Sequence, residues 1–132
     1  MPNPIQHHNL DILNQALQRL GEALAHPLEE DDIVLDATIQ RFEFCTELFW
    51  KTLKKFLAHE GIQATSPKDT LRRAYQIKWL QEETVWLDML KDRNLTSHTY
   101  DQDEAMRIYQ QVKQYHQAMQ QVVETLTIRL SE

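Results

Sequence analysis

A chain of 132 residues, 42% hydrophobic and 26% charged, is long enough for one domain around one core and ordinary in composition for a globular protein. Its 2 Gly and 4 Pro leave too few turn formers for a fold of short strands, and no apolar run approaches the ~20 residues of a membrane span. The net charge of −6 speaks against a general nucleic-acid coat protein, while the lone Cys45 excludes an internal disulfide and suits the reducing cytoplasm, the expected compartment. The opening MPNPIQHHNL lacks a basic start followed by an apolar stretch, so no secretory signal is expected.

Leu10, Leu13, Leu17, Leu20 and Leu24 step by three and four residues, which predicts an amphipathic helix ending between Gly21 and Pro27. An acidic patch, Glu29 to Asp32, then suits the positive end of a second, long helix. Leu35, Ile39, Phe42, Phe49, Leu53 and Phe56 form its stripe, and Phe44, Cys45, Leu48 and Trp50 widen it beyond one face. The Phe42/Phe49/Phe56 and Phe44/Leu48 faces cannot point at one core, so a two-fold dimer is expected. Gly61 is its expected C-terminal stop.

Ser66-Pro67-Lys68-Asp69 reads as a helix start, with Ser66 as N-cap and Asp69 as the reciprocal cap. Leu71, Ala74, Tyr75 and Ile77 follow. A further helical stretch holds Trp79, Leu80, Val85, Trp86, Met89 and Leu90 and is expected to end around Arg93–Leu95. Asp101 caps the last helix, whose stripe runs through Ala105, Ile108, Val112, Tyr115, Met119, Val122, Leu126 and Leu130. The expected fold is all-α, an antiparallel bundle of four to five helices forming a single domain over 1–132.

The polar stretch from Asp92 to Asp101 has no helical stripe and joins two well-marked helices. It carries Arg93, His98 and Tyr100. Five residues apart, Arg93 and His98 would be roughly 140° apart around a regular helix. If both serve one site, the chain should leave the helix between them. The pair suits phosphate chemistry. Arginine offers a fixed cationic fork to phosphate oxygens, and histidine exchanges a proton near neutral pH. Together they could cleave RNA without a metal: the 2′-hydroxyl attacks phosphorus, histidine moves the proton, and arginine stabilises the charge. On spacing alone, the same residues also read as an ordinary solvated connection.

The segment Arg93-Asn94-Leu95-Thr96-Ser97-His98-Thr99-Tyr100 fits the R-x-x-x-x-H-x-Y signature of HepT-like proteins of the HEPN superfamily. The stretches 39–44, 47–54 and 66–72, with Trp86-Leu87-Asp88-Met89-Leu90 leading into Arg93, resemble the branch known as nucleotidyltransferase substrate-binding subunits. The resemblance runs over roughly 10–125 and implies a dimeric HEPN-like bundle working with a small nucleotidyltransferase of the MNT type. It implies one of two functions. The first is a ribonuclease toxin with Arg93 and His98 in its site, neutralised by transfer of AMP to Tyr100. The second is a non-catalytic subunit that binds a substrate or nucleotide for the transferase. Asn94 follows the arginine as a polar residue does in many members.

Among other residues, Glu43 and Glu47 share a face of the second helix and could orient Arg93 or hold a nucleotide-bound metal, or form a plain surface pair. Between 51 and 78 lie seven basic and two acidic residues. Lys51, Lys54 and Arg72 are therefore candidate phosphate binders, though a solvated face reads the same way. Trp50, Trp79 and Trp86 are expected in the core, and Cys45 as a small buried hydrophobe. The remaining histidines lack ligand spacing and Asp88/Asp92 is a single acidic pair, so no metal or cofactor is expected.

Overall fold

The computed structural model describes residues 3–28, 32–98 and 101–132, with the backbone alone at Ser97 and His98. All regular structure among them is helical: α1 (Pro4–Ala25), α2 (Asp32–His59), α3 (Pro67–Gln76), α4 (Glu83–His98) and α5 (Gln102–Ser131).

The helix ends follow local chemistry. Asn3 caps α1 by accepting from the Ile5 and Gln6 amides, with Pro4 in the first turn. α2 ends in a Schellman turn: Gly61 takes φ 78, the Ile62 amide donates to Leu57 O, and the Gly61 amide donates to Ala58 O. Ser66 caps α3 as expected, accepting from the Asp69 amide at 3.0 Å. Asp69 reciprocates one residue further out, accepting from the Thr65 amide at 2.9 Å. α3 ends in the same kind of turn as α2, but the left-handed position is taken by Lys78, at φ 70. Asp101 caps α5 through the Asp103 and Glu104 amides.

The buried stripes of α1, α2 and α5 are the periodic residues of the sequence, and they meet in one hydrophobic cluster. α2 packs against all four other helices. Asn3 bonds His59, so α1 and α2 run antiparallel. Gln102 bonds Asp32 near the start of α5 and α2, and Arg129 pairs with Glu60 near their ends, so α2 and α5 run parallel. α1 and α4 flank this pair in the opposite direction, and α3 closes the outer side of α2 and α4. Phe42 stacks on Tyr115 across the α2–α5 contact with centroids 5.6 Å apart.

Two expectations need correction. Trp79 and Leu80 are buried but lie in the α3–α4 connection, not in a helix. α4 does not end around Arg93–Leu95; it continues unbroken to His98. Its last turns carry no apolar stripe because their anchors are polar. Asp92 is tied to α5 and Arg93 to α2, and the Thr96 hydroxyl donates back to Arg93 O at 2.8 Å. Tertiary contacts thus override the weak helix propensity of Asn94, Thr96 and Ser97.

Candidate functional site

The site is built on the seam between α2 and α4. Phe49 of α2 meets Trp86 of α4 with ring centroids 5.5 Å apart. Two turns further along α4, Arg93 approaches Glu47, Nη2 to Oε2 at 3.4 Å. Both side chains are about three-quarters or two-thirds buried, so the pair is only partly screened by water. The same Glu47 oxygen accepts from the Trp50 indole at 3.0 Å, and Lys51 lies 3.4 Å from the other oxygen. Burial favours the neutral acid, but the indole hydrogen bond and the charges of Arg93 and Lys51 outweigh it and hold the Glu47 carboxyl below its ordinary range. Glu47 is therefore an anion that holds Arg93 in place.

The other residues singled out in the sequence fall in different places. Glu43, one turn before Glu47, lines a separate acidic cavity with Asp36, Thr96, Asp101 and Glu104. Lys51 stands over the Trp50 ring, 5.9 Å from its centroid. Lys54 is exposed on α2. Arg72 and Asn94 line a groove between α3 and α4. His98 ends α4, so the helix carries it roughly 140° around the axis from Arg93 and ~7–8 Å further along. The expected break between them does not occur. Tyr100 lies outside the described residues, as does the proposed extended connection after His98.

A polar cluster that the sequence reading passed over lies immediately beside Arg93. Asp92, only 4% exposed, accepts from Tyr115 Oη at 2.5 Å and from Arg107 Nη2 at 2.8 Å. Arg107 is also held by Glu104 at 2.7 Å. Burial and the bond to Asp92 push the Tyr115 phenol well above its ordinary range. The signal was present: a tyrosine inside an apolar stripe needs a partner for its hydroxyl. Both oxygens of Asp92 thus engage α5. Cys45 is buried, its thiol donates to Ala16 O at 3.2 Å, and burial pushes it up to about 12. That is an inert thiol. Trp79 and Trp86 are core residues. Trp50 is partly buried and serves Glu47.

Comparison with known proteins gives consistent likenesses. Residues 8–128 match the family model described as "Nucleotidyltransferase substrate binding protein like". A Haemophilus influenzae protein described as "Probable ribonuclease HepT" is 31% identical, over 81% of this chain and 84% of its own. A Haemophilus influenzae structure, described as revealing the fold of a substrate binding domain of a nucleotidyltransferase, superposes with a TM-score of 0.80 at 29% identity. It covers 89% of this chain and 98% of its own. The fold is shared further with the tri-AMPylated HEPN toxin of Shewanella oneidensis in complex with MNT antitoxin. There the TM-score is 0.75 at 14% identity, over 96% and 98% of the two chains.

Proposed function

Because the chain belongs to the family described as nucleotidyltransferase substrate binding protein like, we propose that it is the HepT-like toxin of a toxin–antitoxin pair. In this reading it is a single-domain, cytoplasmic, dimeric endoribonuclease that needs no metal, restrained by a small nucleotidyltransferase. Arg93 and His98 carry the chemistry, and Tyr100 is the residue that receives AMP. The name of the Haemophilus influenzae relative supports the activity. The AMPylated Shewanella oneidensis complex supports the partner and the modification by likeness of fold.

The observation that carries the reading is the fixed guanidinium of Arg93, held by Glu47 on the same helix that ends at His98. Arg93 stabilises the charge that develops on phosphorus as the 2′-hydroxyl attacks, and the imidazole of His98 moves the proton. A separation of roughly 140° around one helix directs the two residues to different sides. That geometry supports a site assembled from Arg93 of one protomer and His98 of its partner. Phe44 is 62% exposed on α2 and supplies an apolar contact for such a pairing.

The test is expression with and without a small nucleotidyltransferase partner. Growth arrest without the partner, relieved by it and abolished by His98→Ala, supports the toxin. A second reading rests on the family's own description: a non-catalytic subunit that presents substrate to the transferase. Normal growth in both arms, with transferase activity that depends on this chain, selects that reading.

A further inference from the structure

α3 and α4 enclose a groove lined by Lys68 and Arg72 on one side and by Lys91 and Asn94 on the other, with Leu87, Leu90 and Leu95 as its apolar surface. Lys68, Arg72 and Lys91 are exposed, and none of them forms an ion pair among the described residues. Several cations outside the groove are compensated: Lys51 and Arg93 by Glu47, Arg73 by Asp69, Arg107 by Asp92 and Glu104. Asp88, at the groove's edge, is its one carboxylate and also borders the cavity between α4 and α5. In a chain of net charge −6, a polyanion is repelled by most of the surface, so a groove with an excess of uncompensated cations is where it would settle.

The groove is also aligned with the site. Lys91 and Asn94 precede His98 by seven and four residues, which places all three positions within roughly 40° of one line along α4. We propose that this groove carries the single-stranded RNA leading away from the cleavage site, with successive phosphates on Lys68, Arg72 and Lys91. The inference rests on the ribonuclease reading. Lys68 and Arg72 are four apart on α3, so their side chains start about 5–6 Å from one another and serve neighbouring phosphates. The leucines meet ribose and base faces. The groove has no aromatic platform and one polar neutral side chain, Asn94, so binding is dominated by charge and tolerant of sequence.

Three phosphates neutralised on a single strand give a slope of about −2 for log affinity against log salt. The experiment titrates wild type and the Lys68→Gln/Arg72→Gln/Lys91→Gln variant into a fluorescent dodecanucleotide with 2′-O-methyl riboses, which cannot be cleaved through the 2′-oxygen. Lys113→Gln, exposed on α5, is the surface control. Cleavage of a dinucleotide, too short to occupy the groove, is measured in parallel. The expected result is at least tenfold weaker binding and loss of the salt slope in the triple variant, with Lys113→Gln matching wild type in both. Unchanged affinity and slope overturn the proposal. So does a triple variant that keeps RNA binding but loses the nucleotidyltransferase in a binding assay, which assigns the groove to a protein. Groove-dependent RNA binding by a wild type that cleaves neither substrate sustains the groove and sinks the ribonuclease reading instead.

Discussion

Tyr115 and Asp92 join α5 to α4 through one short hydrogen bond, the phenol donating to the carboxylate at 2.5 Å inside the bundle. The bond fixes the turn of α4 next to Arg93, so its loss should be felt in stability. Asp92→Ala strands the buried Tyr115 hydroxyl and releases Arg107, and should cost about 3 kcal/mol. Tyr115→Phe removes one donor from a charged acceptor and should cost about 1–3 kcal/mol. Urea denaturation measures both. Losses below about 0.5 kcal/mol would show that the cluster does not anchor α4.

The same bond sets a limit at alkaline pH. Burial and Asp92 raise the folded-state value of Tyr115 above that of an unfolded tyrosine, about 10. The neutral phenol therefore contributes fully below pH ~10, and that contribution is lost as the pH rises further. Stability should fall from about pH 10 upward, and less steeply in Tyr115→Phe. Parallel alkaline melting curves for the two proteins would remove Tyr115 from the account.

Arg93→Ala and His98→Ala should each lower RNA cleavage by roughly 10²–10⁴. Cleavage should survive EDTA and leave a 2′,3′-cyclic phosphate. Glu47→Gln keeps the Trp50 bond within reach but removes the charge that holds Arg93, so it should lower kcat by less than Arg93→Ala does. Cleavage that requires added Mg²⁺ would count against the mechanism.

Tyr100→Phe should keep much of the cleavage activity, because no proton transfer is assigned to its hydroxyl, yet escape neutralisation by the partner. An AMP group would add bulk and negative charge where a substrate phosphate must sit, competing for Arg93. Mass spectrometry after co-expression should find AMP on wild-type Tyr100. Its absence there, or equal neutralisation of Tyr100→Phe, would end the switch hypothesis.

Lys78 occupies the left-handed position that closes α3, at φ 70, where a side chain costs energy that glycine does not. Lys78→Gly should stabilise the protein by about 1 kcal/mol, read as a higher denaturation midpoint. A destabilised variant would mean that the lysine side chain offsets the strain.

Much of the fold was legible in the sequence. The stripes of α1, α2 and α5 appear as leucine, phenylalanine and valine at steps of three and four. Ser66, Asp101 and Gly61 mark ends because each supplies a cap or a positive φ. The second half of α4 was not legible, since periodicity detects apolar burial and its anchors are Asp92 and Arg93. Asp92 becomes an anchor only when α5 brings Tyr115 and Arg107 to it, across 23 and 15 residues of chain. Trp79 and Leu80 looked helical because they are apolar near a stripe, yet they fill the core from a connection. Of the site, the chemistry of Arg93 could be named from residue type, and Glu43 and Glu47 could be placed on one helix face as two residues able to orient it; that Glu47 is the one that does so comes from the packing of α2 on α4. That Glu43 belongs to a different cavity depends on how α2 and α4 cross.

The unbroken α4 has a genetic consequence. If Arg93 works with His98 of the other protomer, two inactive proteins should complement each other when their subunits are exchanged. A mixed dimer of Arg93→Ala and His98→Ala chains carries one doubly damaged site and one that is wholly wild type. Random re-pairing should thus restore roughly a quarter of the native rate. If each helix served its own site, mixing would restore nothing. Merodiploid cells expressing both alleles would then show arrested growth in the first case and normal growth in the second.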